Sequence, residues 1–152
     1  MKSNLKDKIT KWLKLTFLIH FFVAILFGII YMLFPDFFFV VIAWPYNDLV
    51  TPRILGAAMI GFAMSSLLAW RETDWLKVKI IVQMEMVWLA LGTIMLFISA
   101  FIYFPSIFIW FVIALFLAFL IAFAFFYYIQ EKWRKWIKFQ FFFLIYLTTI
   151  GL

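Results

Sequence analysis

Residues 106–129, SIFIWFVIALFLAFLIAFAFFYYI, carry no charged side chain, and the basic stretch QEKWRKWIK follows at once over 130–138. As a helix rising 1.5 Å per residue the first stretch is about 36 Å long, enough to cross a hydrocarbon core of about 30 Å. Lipid offers the backbone no hydrogen-bond partners, so a crossing of this kind must be helical. Three further apolar runs match it: residues 15–34, 53–70 and 78–103, the last with Trp75 as a partly exposed extension at its start. The chain therefore reads as an all-α integral membrane four-helix bundle, one domain over residues 1–152.

Composition agrees. Soluble domains are about 45–50% apolar; this chain is 69% hydrophobic and 13% charged, with a mean hydropathy of +1.14. It has no cysteine, which excludes disulfides, thiolate metal sites and cysteine nucleophiles. The net charge of +6 flanks the apolar runs, where it marks topology and contact with anionic lipid rather than nucleic acid. The 23 phenylalanines and 8 tryptophans are scattered along the chain, as expected of a lipid-facing surface rather than a ligand box.

Twelve of the thirteen Lys and Arg residues fall on alternate connectors. They occupy the N-terminal segment (Lys2, Lys6, Lys8, Lys11, Lys14), the second connector (Arg71, Lys77, Lys79) and the segment after the fourth run (Lys132, Arg134, Lys135, Lys138). Only Arg53 lies on the other side. The expectation is a multi-pass protein of the plasma membrane with a cytoplasmic N-terminus, its basic face against anionic lipids. The Lys-rich start imitates a signal peptide, but the apolar stretch is too long and no A-x-A-like site follows, so an uncleaved first helix is expected.

Between Pro35 and Pro45, residues 36–44 are too short to span and read as an interfacial helix anchored by Trp44 and Tyr46. The tail, residues 139–152, reads as an amphipathic or partly inserted helix, with a fifth crossing as the alternative. Thr51-Pro52 is the expected start of the second helix, Thr73 or Asp74 the cap of the third, and Pro105-Ser106 the turn into the fourth.

Small and polar residues recur on one face of each helix. The rows are Thr16, His20, Ala24 and Gly28; Ala57, Gly61, Ser65 and Ala69; Glu85, Gly92 and Ser99; and Ala114, Ala118 and Ala122. Helices in lipid associate by close approach at such residues, so the rows are expected to face inward or, in part, to mediate homo-oligomer contacts.

Two ionisable residues lie inside the apolar runs, where such groups are costly and suggest function. His20 and Glu85, with Ser65, Ser66 and Gln83, fall at one depth from the basic end at 1.5 Å per residue. They form either a structural hydrogen-bonded cluster or a proton- or ligand-binding site. At the opposite end Arg53, with Asp48 or Asp36 as partner, is an interfacial anchor or an anion contact. No P-loop, dinucleotide glycine pattern or H-E-x-x-H occurs; one His builds no multi-ligand metal site, and no cofactor is implied.

The stretch Phe34-Pro35, Trp44-Pro45-Tyr46-Asn47-Asp48 and Thr51-Pro52-Arg53-Ile54-Leu55-Gly56-Ala57 resembles small four-helix membrane families, DoxX-like proteins among them. The resemblance implies the same size and topology and an accessory role in quinone-linked redox complexes; it carries over no catalytic residue. The function expected is that of a non-enzymatic accessory subunit of a larger membrane complex or a lipophilic-ligand binder. The alternatives are a small oligomeric proton-coupled carrier or channel using Glu85 and His20, and a lipid- or quinone-modifying enzyme.

Overall fold

The computed structural model describes residues 8–45, 48, 50–103 and 106–150, with side chains through residue 135. Five helices follow in order: α1 (Lys11–Leu33), α2 (Pro35–Val41), α3 (Val50–Arg71), α4 (Trp75–Ile102) and α5 (Phe108–Ile150). Four of them, α1, α3, α4 and α5 as far as Lys135, are long and apolar enough to cross a membrane. The chain is an all-α, multi-pass membrane protein.

Helix starts are set by polar caps, which accept from amide groups that have no partner within the helix. Thr10 Oγ1 accepts from the Leu13 amide at 3.4 Å, and Asp74 Oδ1 accepts from Leu76 at 3.0 Å. At α3 the cap is Asp48, whose two carboxylate oxygens accept from Val50 and Thr51 at 2.8 and 3.0 Å. Thr51, the expected cap, is therefore already helical, and α3 begins ahead of Arg53. In α2, Pro35 occupies the first turn, where its missing N–H costs nothing. Ala43, at φ 52°, then turns the chain back, and Trp44 packs against the cluster of Ala100, Ile109 and Ile113. Tyr46 and Asn47 lie outside the described residues. Trp75, expected to be partly exposed, is 1% exposed and belongs to the core. The tail helix is present as an unbroken continuation of α5 to Ile150, beyond the basic run; residues 151 and 152 lie outside the described residues.

The bundle is built as two pairs, α1 with α3 and α4 with α5, with fewer contacts between the pairs. The first pair is close because two glycines face each other. A Cβ on Gly56 would lie 2.6 Å from the Met32 nitrogen and 2.7 Å from the Gly28 carbonyl oxygen; one on Gly28 would lie 3.0 Å from the Gly56 oxygen. The α1 row of Thr16, His20, Ala24 and Gly28 is buried. The α3 row is not the expected one: Gly56, Ala63, Ser66 and Ala69 are buried, whereas Ala57 and Gly61 are exposed. A one-residue shift turns the face by about 100°. Glu85 is buried, and Gly92 abuts the Phe116 ring of α5. On α5 itself Ala114 and Ala118 face outward, and the inner face is Ile109, Ile113, Phe119 and Phe123. This helix packs by filling space with large side chains rather than by backbone approach.

At the basic end the pairs are tied together. The Ile9 amide donates to the Thr73 carbonyl at 3.2 Å, and Gln130 Nε2 donates to the Lys8 carbonyl at 3.3 Å. Glu131 accepts from Trp75 Nε1 and Lys79 Nζ, each at 3.0 Å, and from Arg134 at 3.2 Å. Leu13, Phe17, Trp75, Val78, Val82 and Phe123 form the core beneath these contacts.

The glycine contact yields a paired test. Gly56→Ala, which forces two backbones apart, is expected to lower stability by about 1–3 kcal/mol. Gly61→Ala meets no atom within 4 Å and should be neutral or slightly stabilising, by up to about 1 kcal/mol. Unfolding in mixed detergent micelles measures both, and equal effects would contradict the assigned face.

Candidate functional site

Four helices meet at the level of His20. The ring comes from α1 and is buried. Its Nδ1 lies 2.8 Å from Ser66 Oγ of α3, and its Nε2 lies 3.7 Å from Glu85 Oε2 of α4. Glu85 Oε1 is approached by the hydroxyls of Ser65 at 3.3 Å and Ser66 at 3.4 Å. From α5, Phe119 and Phe123 stand edge-on to the imidazole, with centroids at 4.8 and 5.6 Å. Glu85 is 0% exposed, so its carboxyl group has no water to solvate it.

Each serine has one hydroxyl proton to donate. Ser65 also lies 2.8 Å from the Phe62 carbonyl, which takes its proton in better geometry than Glu85 does. If Ser66 donates to Glu85, His20 Nδ1–H donates to Ser66, and Nε2 turns its lone pair or a second proton toward Oε2. If Ser66 donates to Nδ1 instead, Nε2–H faces the carboxyl group. Glu85 Oε2 has no hydrogen-bond partner among the described residues, since 3.7 Å is an ion-pair distance rather than a hydrogen bond. One proton held between imidazole and carboxyl group leaves the pair without net charge, the arrangement that burial in lipid favours. The cluster can thus hold one proton, on the imidazole or on the carboxyl group.

His20 is also the floor of a cavity of about 570 Å³ that extends from it toward the end of the bundle away from the basic residues. The cavity lies between the two helix pairs. Phe27 and Tyr31 of α1, Leu55 and Met59 of α3, Met95 of α4 and Phe116 of α5 form much of its wall. Trp44, Asp48 and Thr51 stand at its mouth, and among the described residues Asp48 is the one carboxylate, with no Lys or Arg, in its lining. The Thr51 side chain, with the Val50 and Thr51 amides, holds the Asp48 carboxyl group below the usual range, so the mouth is anionic.

His20, Ser65, Ser66 and Glu85 are thus brought together. Gln83 is not with them: it lies on the exposed side of α4 and donates to Tyr127 Oη at 3.3 Å. Two residues from Glu85 is about 200° around a helix, so both cannot face inward. Arg53 lies 3.9 Å from Asp36 with both side chains about half exposed, while Asp48 is engaged at the α3 cap. Arg53 is thus paired with Asp36 rather than with Asp48, and it is not among the residues that line the cavity. The aromatic wall was not legible in advance. Five of the phenylalanines line the cavity, Phe62 among them bordering the outer surface as well, and only the pairing of the helices distinguishes them from their neighbours. Among the described residues no three His, Asp or Glu side chains come together to hold a metal ion.

No family model, curated protein or solved structure matches this chain.

The hydrogen bonds rank the two serines. Ser66→Ala leaves the buried His20 Nδ1 without its partner and should destabilise the fold by about 1–3 kcal/mol. Ser65→Ala removes a hydroxyl that is half-buried and bonded within its own helix, and it should cost less. Thermal unfolding in detergent gives the order; the reverse order would contradict the assigned network.

Proposed function

We propose that this protein is a non-enzymatic, multi-pass membrane protein that binds a lipophilic molecule between its two helix pairs. The cavity above His20 carries the reading. Its volume of about 570 Å³ lies within the range of about 300–1,000 Å³ typical of small-molecule sites. Its lining has the composition of such sites, aromatic and aliphatic with a few polar groups. The polar cluster beneath the floor pins the two pairs together where the cavity would otherwise weaken the bundle. The basic end then faces the cytoplasm, in accord with the distribution of Lys and Arg, and the cavity opens toward the opposite leaflet.

Two experiments test this. Protein purified in mild detergent and extracted with organic solvent should yield a co-purifying lipophile by mass spectrometry, and Ala24→Phe, which fills the cavity, should lose it. Equal recovery from both proteins would count against the cavity as the site. Single cysteines introduced by Lys8→Cys and Trp133→Cys should react with an impermeant maleimide from the cytoplasmic side, and Arg53→Cys from the other. Labelling of positions 8 and 133 from opposite sides would overturn the orientation.

A further inference from the structure

Helices α3 and α4 are joined by the short Glu72–Asp74 turn and are pinned to each other by the Ser65 and Ser66 contacts to Glu85. Beyond that level, away from the turn, few contacts link the two helices directly. On the outer surface of α4, reaching Phe62 of α3, lies a shallow groove of about 470 Å³ whose walls include Ile80, Met84, Val87 and Leu91. These side chains are exposed, which in a membrane-spanning helix places them against lipid tails. Gln83 is the groove's one residue with a polar side-chain group apart from the Trp88 indole.

Two residues line both the outer groove and the inner cavity: Phe62 of α3 and Trp88 of α4. Their rings are stacked, with centroids 5.0 Å apart and planes at 25°. Both are half-buried, and each borders both spaces. At this height the stack is therefore the partition between cavity and bilayer. Its two halves belong to different helices, so rotating the side chains opens it without breaking the serine–glutamate contacts below.

From this geometry we infer that Phe62 and Trp88 form a lateral gate through which an uncharged lipophile passes between the bilayer and the cavity, an inference that rests on the binding reading above. The ligand class follows from what lines the route. Among the described residues neither the groove nor the cavity is lined by Lys or Arg, and the mouth at the far end holds the anionic Asp48. A fatty carboxylate would meet no Lys or Arg among the described residues along the path, whereas an alcohol or other neutral head would find His20 and Tyr31 as hydrogen-bonding groups in the wall. Entry from lipid also spares such a molecule a passage through water.

The test uses the chain's lack of cysteine. In nanodiscs, binding of 1-pyrenemethanol is followed by energy transfer from tryptophan, with Ala24→Phe protein as the background and 1-pyrenecarboxylate as the charged comparison. In a variant carrying Phe62→Cys and Trp88→Cys, a short bifunctional thiol cross-link should slow both loading and release by about tenfold or more relative to the uncross-linked variant. Final occupancy should be unchanged. Separately, Phe62→Ala should speed exchange by up to about tenfold, the factor that one lost aromatic pair corresponds to. Exchange that is unaltered by the cross-link and by Phe62→Ala overturns the gate while leaving the binding reading intact. No binding of 1-pyrenemethanol above background by the unmodified chain overturns both. Carboxylate bound as tightly as the alcohol overturns the assignment of ligand charge.

Discussion

A carboxyl group at hydrocarbon depth has to find its partners within the protein, and Glu85 finds them on two other helices. Its own helix belongs to one pair, α4 and α5, while His20 and Ser66 belong to the other, α1 and α3. The cluster therefore joins the pairs midway along the bundle, where direct packing between them is sparse. In water such a contact would compete with solvation and contribute little. In lipid the alternative is an unsatisfied polar group, so separating the pairs carries a cost that apolar side chains alone would not impose.

The two ends of the bundle differ because of what lies on either side of that cluster. Toward the basic end, Trp75 fills the space among α1, α4 and α5, and its indole N–H is satisfied by Glu131. The Ile9–Thr73 and Gln130–Lys8 hydrogen bonds close the chain over it. Toward the other end, Gly28 and Gly56 draw α1 and α3 together, while Phe116 and its neighbours hold α5 against α4. Each pair is satisfied internally and neither fills the space between them. The cavity is the consequence, and its polar floor and apolar walls make it suited to a lipid-soluble ligand.

Several local features were readable because they depend only on neighbouring residues. Asp74 caps α4 as its position before an apolar run implies, and a short helix does lie in the first connector, though it runs over Pro35–Val41 and ends before Trp44. The buried α1 row was readable too, since Thr16, His20, Ala24 and Gly28 recur every four residues within an otherwise large apolar stretch. On α3 the same reasoning selected the wrong face, because Gly56, Ala57, Gly61, Ala63, Ser65, Ser66 and Ala69 offer two competing rows. On α5 the expected row is not the inner face: Ala114 and Ala118 face outward, while Phe119 and Phe123 face inward.

Apolar length and a rise of 1.5 Å per residue determined from sequence alone that the chain is a helical membrane protein with four helices long enough to cross and that His20, Ser65, Ser66 and Glu85 share one depth. Rotation of each helix about its axis was decided only by tertiary structure. In water an amphipathic pattern reveals which face is buried; in lipid both faces are apolar, and that signal vanishes. Which glycine pair touches, which phenylalanines wall a cavity and which two rings part it from the bilayer depend on that rotation, set by side-chain fit between helices distant in the chain.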